Sequence, residues 1–90
     1  MKVRAAIERK LAQGLSPVRL VVEDDSARHA GHHGNDGGAE SHFRVEVVSA
    51  AFAGKSRVER HRMVNVLLAE ELAGPVHALQ LATRTPDEGQ

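Results

Sequence analysis

Ninety residues make one small domain, 1–90, with a limited core and little room for a separate active-site cleft. Twelve basic and twelve acidic side chains cancel, so no global basic field draws the chain onto DNA, and with only two aromatics, Phe43 and Phe52, platforms for stacking single-stranded nucleic acid are nearly absent. Without cysteine the chain forms no disulfide, cysteine zinc site or catalytic thiolate, and its charged first fifteen residues suit neither a signal peptide nor a bilayer span, so a cytoplasmic protein with no membrane partner is expected.

Val3, Ile7 and Leu11 recur every fourth position and predict an amphipathic helix over residues 2–13, with Arg4, Glu8, Arg9 and Lys10 largely on its other faces. Gly14 stands where a C-cap glycine is expected, and Pro17 bars the helix from continuing. Residues 18–24 are rich in β-branched side chains and predict a strand with Val18, Leu20 and Val22 on one face. Residues 25–40 break all periodicity. They are rich in glycine and histidine, carry an Asn35-Asp36-Gly37-Gly38 turn signal and predict a long loop, which inside a compact domain is often functional.

Residues 41–49 predict the clearest strand, in which Phe43, Val45 and Val47 alternate with His42, Arg44 and Glu46. Joined by one loop, the two strands pair most simply as antiparallel neighbours. Residues 51–55 are a turn with Gly54. Ser56 followed by Glu59 forms a capping-box pattern opening a helix that runs to about Ala73, where Gly74-Pro75 stops it. Its apolar stripe is Val64, Leu67, Leu68 and Leu72; His61 falls inside the stripe, while Lys55, Glu59 and Arg62 point away. A third strand spans 76–83, and a polar tail occupies 84–90. The α-β-β-α-β order predicts a two-layer α/β sandwich with a three-stranded mixed sheet and helices on one side. A right-handed crossover is favoured if the second and third strands are parallel neighbours.

Gly54-Lys55-Ser56 resembles the end of a phosphate-binding loop, but Ser49 stands where the first glycine is required, so the triplet reads as turn and cap. Imidazole is the side chain that binds metal as a neutral ligand near pH 7. His29, His32 and His33 crowd the predicted loop and would chelate weakly without a ligand from a rigid element. His77, at the start of the third strand with the parity of Leu79 and Leu81, is the candidate for that ligand, its ring expected at the edge of the core side. His61 is expected to be a satisfied, partly buried histidine, and His42 to face solvent. Lys55, Arg57, Arg60 and Arg62, near a turn and a helix start, are candidate phosphate contacts, although they point in several directions. No Ser-His-Asp or paired-carboxylate arrangement stands out, and no enzyme is expected.

Asp25-Ser26 with His29, Glu40-Ser41-His42-Phe43, Val47-Val48-Ser49, Phe52-Ala53-Gly54-Lys55-Ser56, Arg60-His61-Arg62, Gly74-Pro75-Val76-His77-Ala78-Leu79 and Thr85-Pro86 together resemble the BolA family, over nearly the whole chain. The resemblance implies a fold similar to a type II KH domain. It also implies a partner, a monothiol glutaredoxin, with which a [2Fe-2S] cluster is shared in iron-sulfur trafficking or iron regulation. His77 is then the family's ligand and a loop residue the second: His29 by its spacing from Asp25-Ser26, with His32 and His33 as alternatives. The glutaredoxin would add its cysteine and glutathione, since the cluster needs four ligands and this chain has no thiolate to offer it. The isolated chain would carry no cofactor and be a monomer or weak homodimer. The family also implies an alternative, a DNA-binding transcriptional regulator using the turn and helix at 52–72.

Overall fold

A computed structural model of the chain describes residues 2–25 and 41–88. Most of the predicted loop, with His29, His32 and His33, therefore lies outside the described residues, as do the last two positions of the predicted tail.

The first helix, α1 (Lys2–Leu15), buries Ile7, Leu11 and Leu15, the face its four-residue spacing predicts. Gly14 does not cap it. Gly14 lies inside the last turn, where a Cβ would come 2.7 Å from both Cδ atoms of Leu67, so the glycine permits close approach of a second helix. The helix ends one residue later, where Ser16 takes a left-handed φ of 45° ahead of Pro17.

Strand β1 (Arg19–Asp24) pairs antiparallel with β2 (His42–Val48), and β3 (Ala78–Arg84) lies parallel to β2 on its other side, giving the order β1-β2-β3. The register sets Val22 and Leu81 beside Val45, Leu20 beside Val47, and Leu79 beside Phe43. These side chains share one face and join Ile7, Leu11, Leu15, Phe52, Val64, Leu68 and Val76 in the core. The opposite face is polar: Glu46 accepts from Arg19 at 3.3 Å and Arg84 at 3.1 Å, and Arg44 donates to Gln80 at 3.2 Å. A sheet apolar on one face and charged on the other takes helices on one side only, which makes two layers. Val18 lies outside β1 and is exposed, because the pairing begins at Arg19.

Ser49 directly follows β2 and is fully buried. Its Oγ donates to the Leu15 carbonyl at 2.6 Å and accepts the Ala51 N–H at 3.1 Å, joining the end of α1 to a short 3₁₀ turn, Ala50–Phe52. Gly54 follows with φ 76°, a backbone state that suits glycine.

The predicted capping box is present: Ser56 Oγ accepts the Glu59 N–H at 3.1 Å and the Glu59 carboxylate accepts the Ser56 N–H at 2.8 Å. The predicted single helix is two. Helix α2 (Arg57–Leu67) is interrupted at Leu68, and α3 (Ala69–Ala73) resumes after it. Leu68 stays buried at the break, and α3 carries Glu70 and Glu71 to Lys10 of α1, with contacts of 2.6 and 2.8 Å.

Candidate functional site

Site residues gather at the end of the sheet where β1 finishes and β2 begins. Here the Asp25 N–H donates to the His42 carbonyl at 2.7 Å, closing the antiparallel pair. On the other side of β2, the Ser41 carbonyl accepts from both His77, at 2.7 Å, and Ala78, at 3.1 Å. Asp25 and Ser41 are the residues between which the histidine-bearing segment 26–40 is inserted, so the chain delivers His77 to the stem of that segment through main-chain bonds.

His77 sits differently from its sequence-based expectation. It precedes β3 rather than starting it, and it is exposed rather than tucked at the core's edge. Val76 takes the buried place, held under the end of α3 by its N–H bond to the Glu71 carbonyl at 2.9 Å. His77 emerges immediately after that anchor, with a fixed backbone and no side-chain hydrogen bond from any described residue. His42 is half-buried instead of solvent-facing, its Nδ1 2.9 Å from Ser41 Oγ. Among the described residues no three His, Cys, Asp or Glu side chains are grouped to hold a metal ion. His29, His32 and His33 lie outside those residues.

The cationic run divides. Lys55, Arg57 and Arg62 are exposed. Arg60 is a tether: Nε donates to the Lys55 carbonyl at 3.0 Å, Nη1 to the Thr83 carbonyl at 3.2 Å and to Glu88 Oε1 at 2.7 Å, and Nη2 to Glu88 Oε2 at 3.2 Å. Its guanidinium lies 5.9 Å from the Phe52 ring centroid. A side chain so engaged already has its guanidinium donors taken, whereas Lys55, Arg57 and Arg62 are exposed. The same bonds hold the predicted polar tail against the fold, and Glu88 also accepts the Thr85 N–H at 3.0 Å. The Arg60 guanidinium, and then the Thr85 amide, hold the Glu88 carboxyl down at about 2. Nothing near Arg60 in the sequence announced a partner 28 positions away.

His61 is half-buried, as its place in the apolar stripe predicts. With Arg57 it flanks an open cavity of about 250 Å³ along β3, between Leu81 and Arg84. At about 3.3 Å per residue, this cavity is roughly 20 Å along the strand from His77.

Among known proteins, the profile of the family described as BolA-like protein matches residues 11–88. BolA-like protein 1 of Pongo abelii is 52% identical over 84 residues, covering 93% of this chain and 58% of that protein. The chain thus spans little more than half the length of that relative. A protein of Escherichia coli named DNA-binding transcriptional regulator BolA is 47% identical over 88 residues, covering 98% of this chain and 80% of that one. The solved structure of BolA1 from Arabidopsis thaliana superposes with a TM-score of 0.88 at 45% identity, over 97% of this chain and 95% of that one. Helix-strand-strand-helix-strand order, a three-stranded mixed sheet and a match over most of its length together place the chain in the BolA-like protein family.

Proposed function

We propose that this protein is a non-enzymatic cytoplasmic adaptor that binds a monothiol glutaredoxin and co-ligates a [2Fe-2S] cluster in iron-sulfur trafficking or iron regulation. The supporting observation is the exposed His77, anchored by Val76 and by the Ser41 carbonyl at the stem of the segment carrying His29, His32 and His33. The donor set fits the group: a chain without cysteine offers neutral imidazoles, and a partner completes the four ligands with its cysteine and glutathione. His77 is the rigid ligand and His29 the second, with His32 or His33 as its alternatives. When bound, the cluster supplies one-electron chemistry or iron and sulfide for transfer, and imidazole in place of thiolate raises its potential. This chain's part is to present one nitrogen from a fixed backbone and to leave coordination positions for the partner.

Anaerobic co-expression with a monothiol glutaredoxin, followed by visible circular dichroism, tests the reading. The wild-type pair is expected to co-purify coloured, and His77→Ala to lose or change the visible bands. His29→Ala is expected to weaken them, with His32→Ala and His33→Ala as the alternatives. A spectrum identical in wild type and His77→Ala sinks the assignment.

A second reading, DNA-binding regulation, is favoured by the name of the Escherichia coli relative and by exposed Lys55, Arg57 and Arg62. A gel shift that weakens steeply with salt and disappears on replacing these three by alanine supports it. Unchanged binding by the triple variant removes this surface from consideration.

A further inference from the structure

We propose that the cavity between α2 and the free edge of β3 is a binding site for a terminal phosphate group, separate from the His77 end of the sheet. The inference rests on neither functional reading above. It begins with the direction of the peptide groups in β3. The Ala78 N–H bonds to Ser41 and the Ser49 N–H bonds to the Arg84 carbonyl, so the even-numbered residues of β3 turn their peptide groups toward β2. Leu81 and Thr83 therefore turn theirs to the outer edge, where no strand among the described residues pairs with them. The Thr83 carbonyl is taken by Arg60. The N–H groups of Leu81 and Thr83 remain as main-chain donors along the cavity they line.

Helix α2 supplies the charge. Arg57 and His61 stand one turn apart on the same flank of the helix and both line the cavity. Arg84 forms the far lip. Its guanidinium is held 3.1 Å from Glu46, and Arg60 is held by Glu88, so those two cations are already compensated. Arg57 has no carboxylate partner among the described residues, and the His61 ring has no hydrogen-bond partner among them. A guanidinium, an imidazole and strand-edge amides converging on one open cavity are a donor set without an acceptor. The acceptor that matches it is a small tetrahedral oxyanion, which takes several hydrogen bonds at once and prefers the planar fork of arginine. The site owes nothing to the start of α2, whose first amides are engaged by the Ser56–Glu59 capping box. Phosphate could reach it on a small phosphomonoester or along a nucleic acid. An open cavity of about 250 Å³ between one helix flank and one strand edge suits the compact terminal group.

The full chain is titrated with inorganic phosphate, with adenosine monophosphate and with duplex DNA lacking 5′-phosphates, and amide and imidazole NMR shifts are followed. The expected result is saturable movement of the Thr83 amide and the His61 ring with both small ligands. Arg57→Gln and His61→Gln should each weaken binding about tenfold, the worth of a charge-assisted hydrogen bond, while Arg62→Gln changes nothing. Unchanged amide spectra elsewhere verify that each variant is folded. Non-saturating shifts spread over all exposed cations, equal effects of Arg57→Gln and Arg62→Gln, or shifts at this cavity with duplex DNA alone would each overturn the assignment.

Discussion

A single hydroxyl carries more of the architecture than its size suggests. Ser49 Oγ, fully buried, satisfies the last carbonyl of α1 and the Ala51 amide of the 3₁₀ turn. Replacing Ser49 by alanine leaves the buried Leu15 carbonyl without that partner, at a cost of about 1–3 kcal/mol. Urea denaturation is expected to show a lower midpoint at unchanged slope. His77→Ala should behave in the opposite way. The ring is exposed and bonded to no described side chain, so stability should stay within about 0.5 kcal/mol of wild type. That pairing makes His77→Ala a clean probe: a lost visible spectrum then reports a lost ligand rather than a lost fold.

Among the elements, α2 depends on a cap and a tether at its first turn. Ser56→Ala removes one half of the capping box and should cost about 1 kcal/mol, read as a fall in thermal or urea stability. The tether from Arg60 to Glu88 is electrostatic. Glu88 titrates at about 2 instead of the ordinary 4.5 because the Arg60 guanidinium and the Thr85 amide favour its charged form. A carboxyl depressed on folding contributes stability that is fully present above its unfolded value and lost as pH falls through its folded one. The stabilising contribution of the Glu88 tether should therefore fade between pH 4.5 and about 2. Glu88→Gln is expected to flatten the acid limb of the stability curve in that window and leave the slope near neutrality unchanged. A wild-type limb and a Glu88→Gln limb that coincide would remove the tether from the account.

Over the whole molecule, the core is small enough that one ring matters. Phe52 is fully buried where the 3₁₀ turn meets Arg60 and the helices, and Phe52→Ala should cost about 3–5 kcal/mol. Against the roughly 5–15 kcal/mol that holds typical domains together, such a variant should be partly unfolded at 37 °C, seen as lost amide dispersion. The two candidate sites occupy opposite ends of β3, His77 before Ala78 and the phosphate cavity at Leu81–Arg84. Binding at one is therefore expected to leave the donors of the other in place.

The amino-acid sequence by itself determined the element order, the core face of β2, the capping box and the antiparallel pairing of the first two strands. Those features arise from alternation, spacing and caps acting over a few residues, and local physics reads them without knowledge of distant neighbours. Only the tertiary structure decided where several residues sit. Gly14 became a helix contact because Leu67 arrives against it, and the long helix broke where Leu68 stays in the core. Arg60 turned into a tether because Glu88 and Thr83 come within reach, and His77 was lifted into solvent because Val76 took the buried position. In each case the deciding partner packs against the residue across the fold or fills the core in its place, and no helical or strand period encodes that competition.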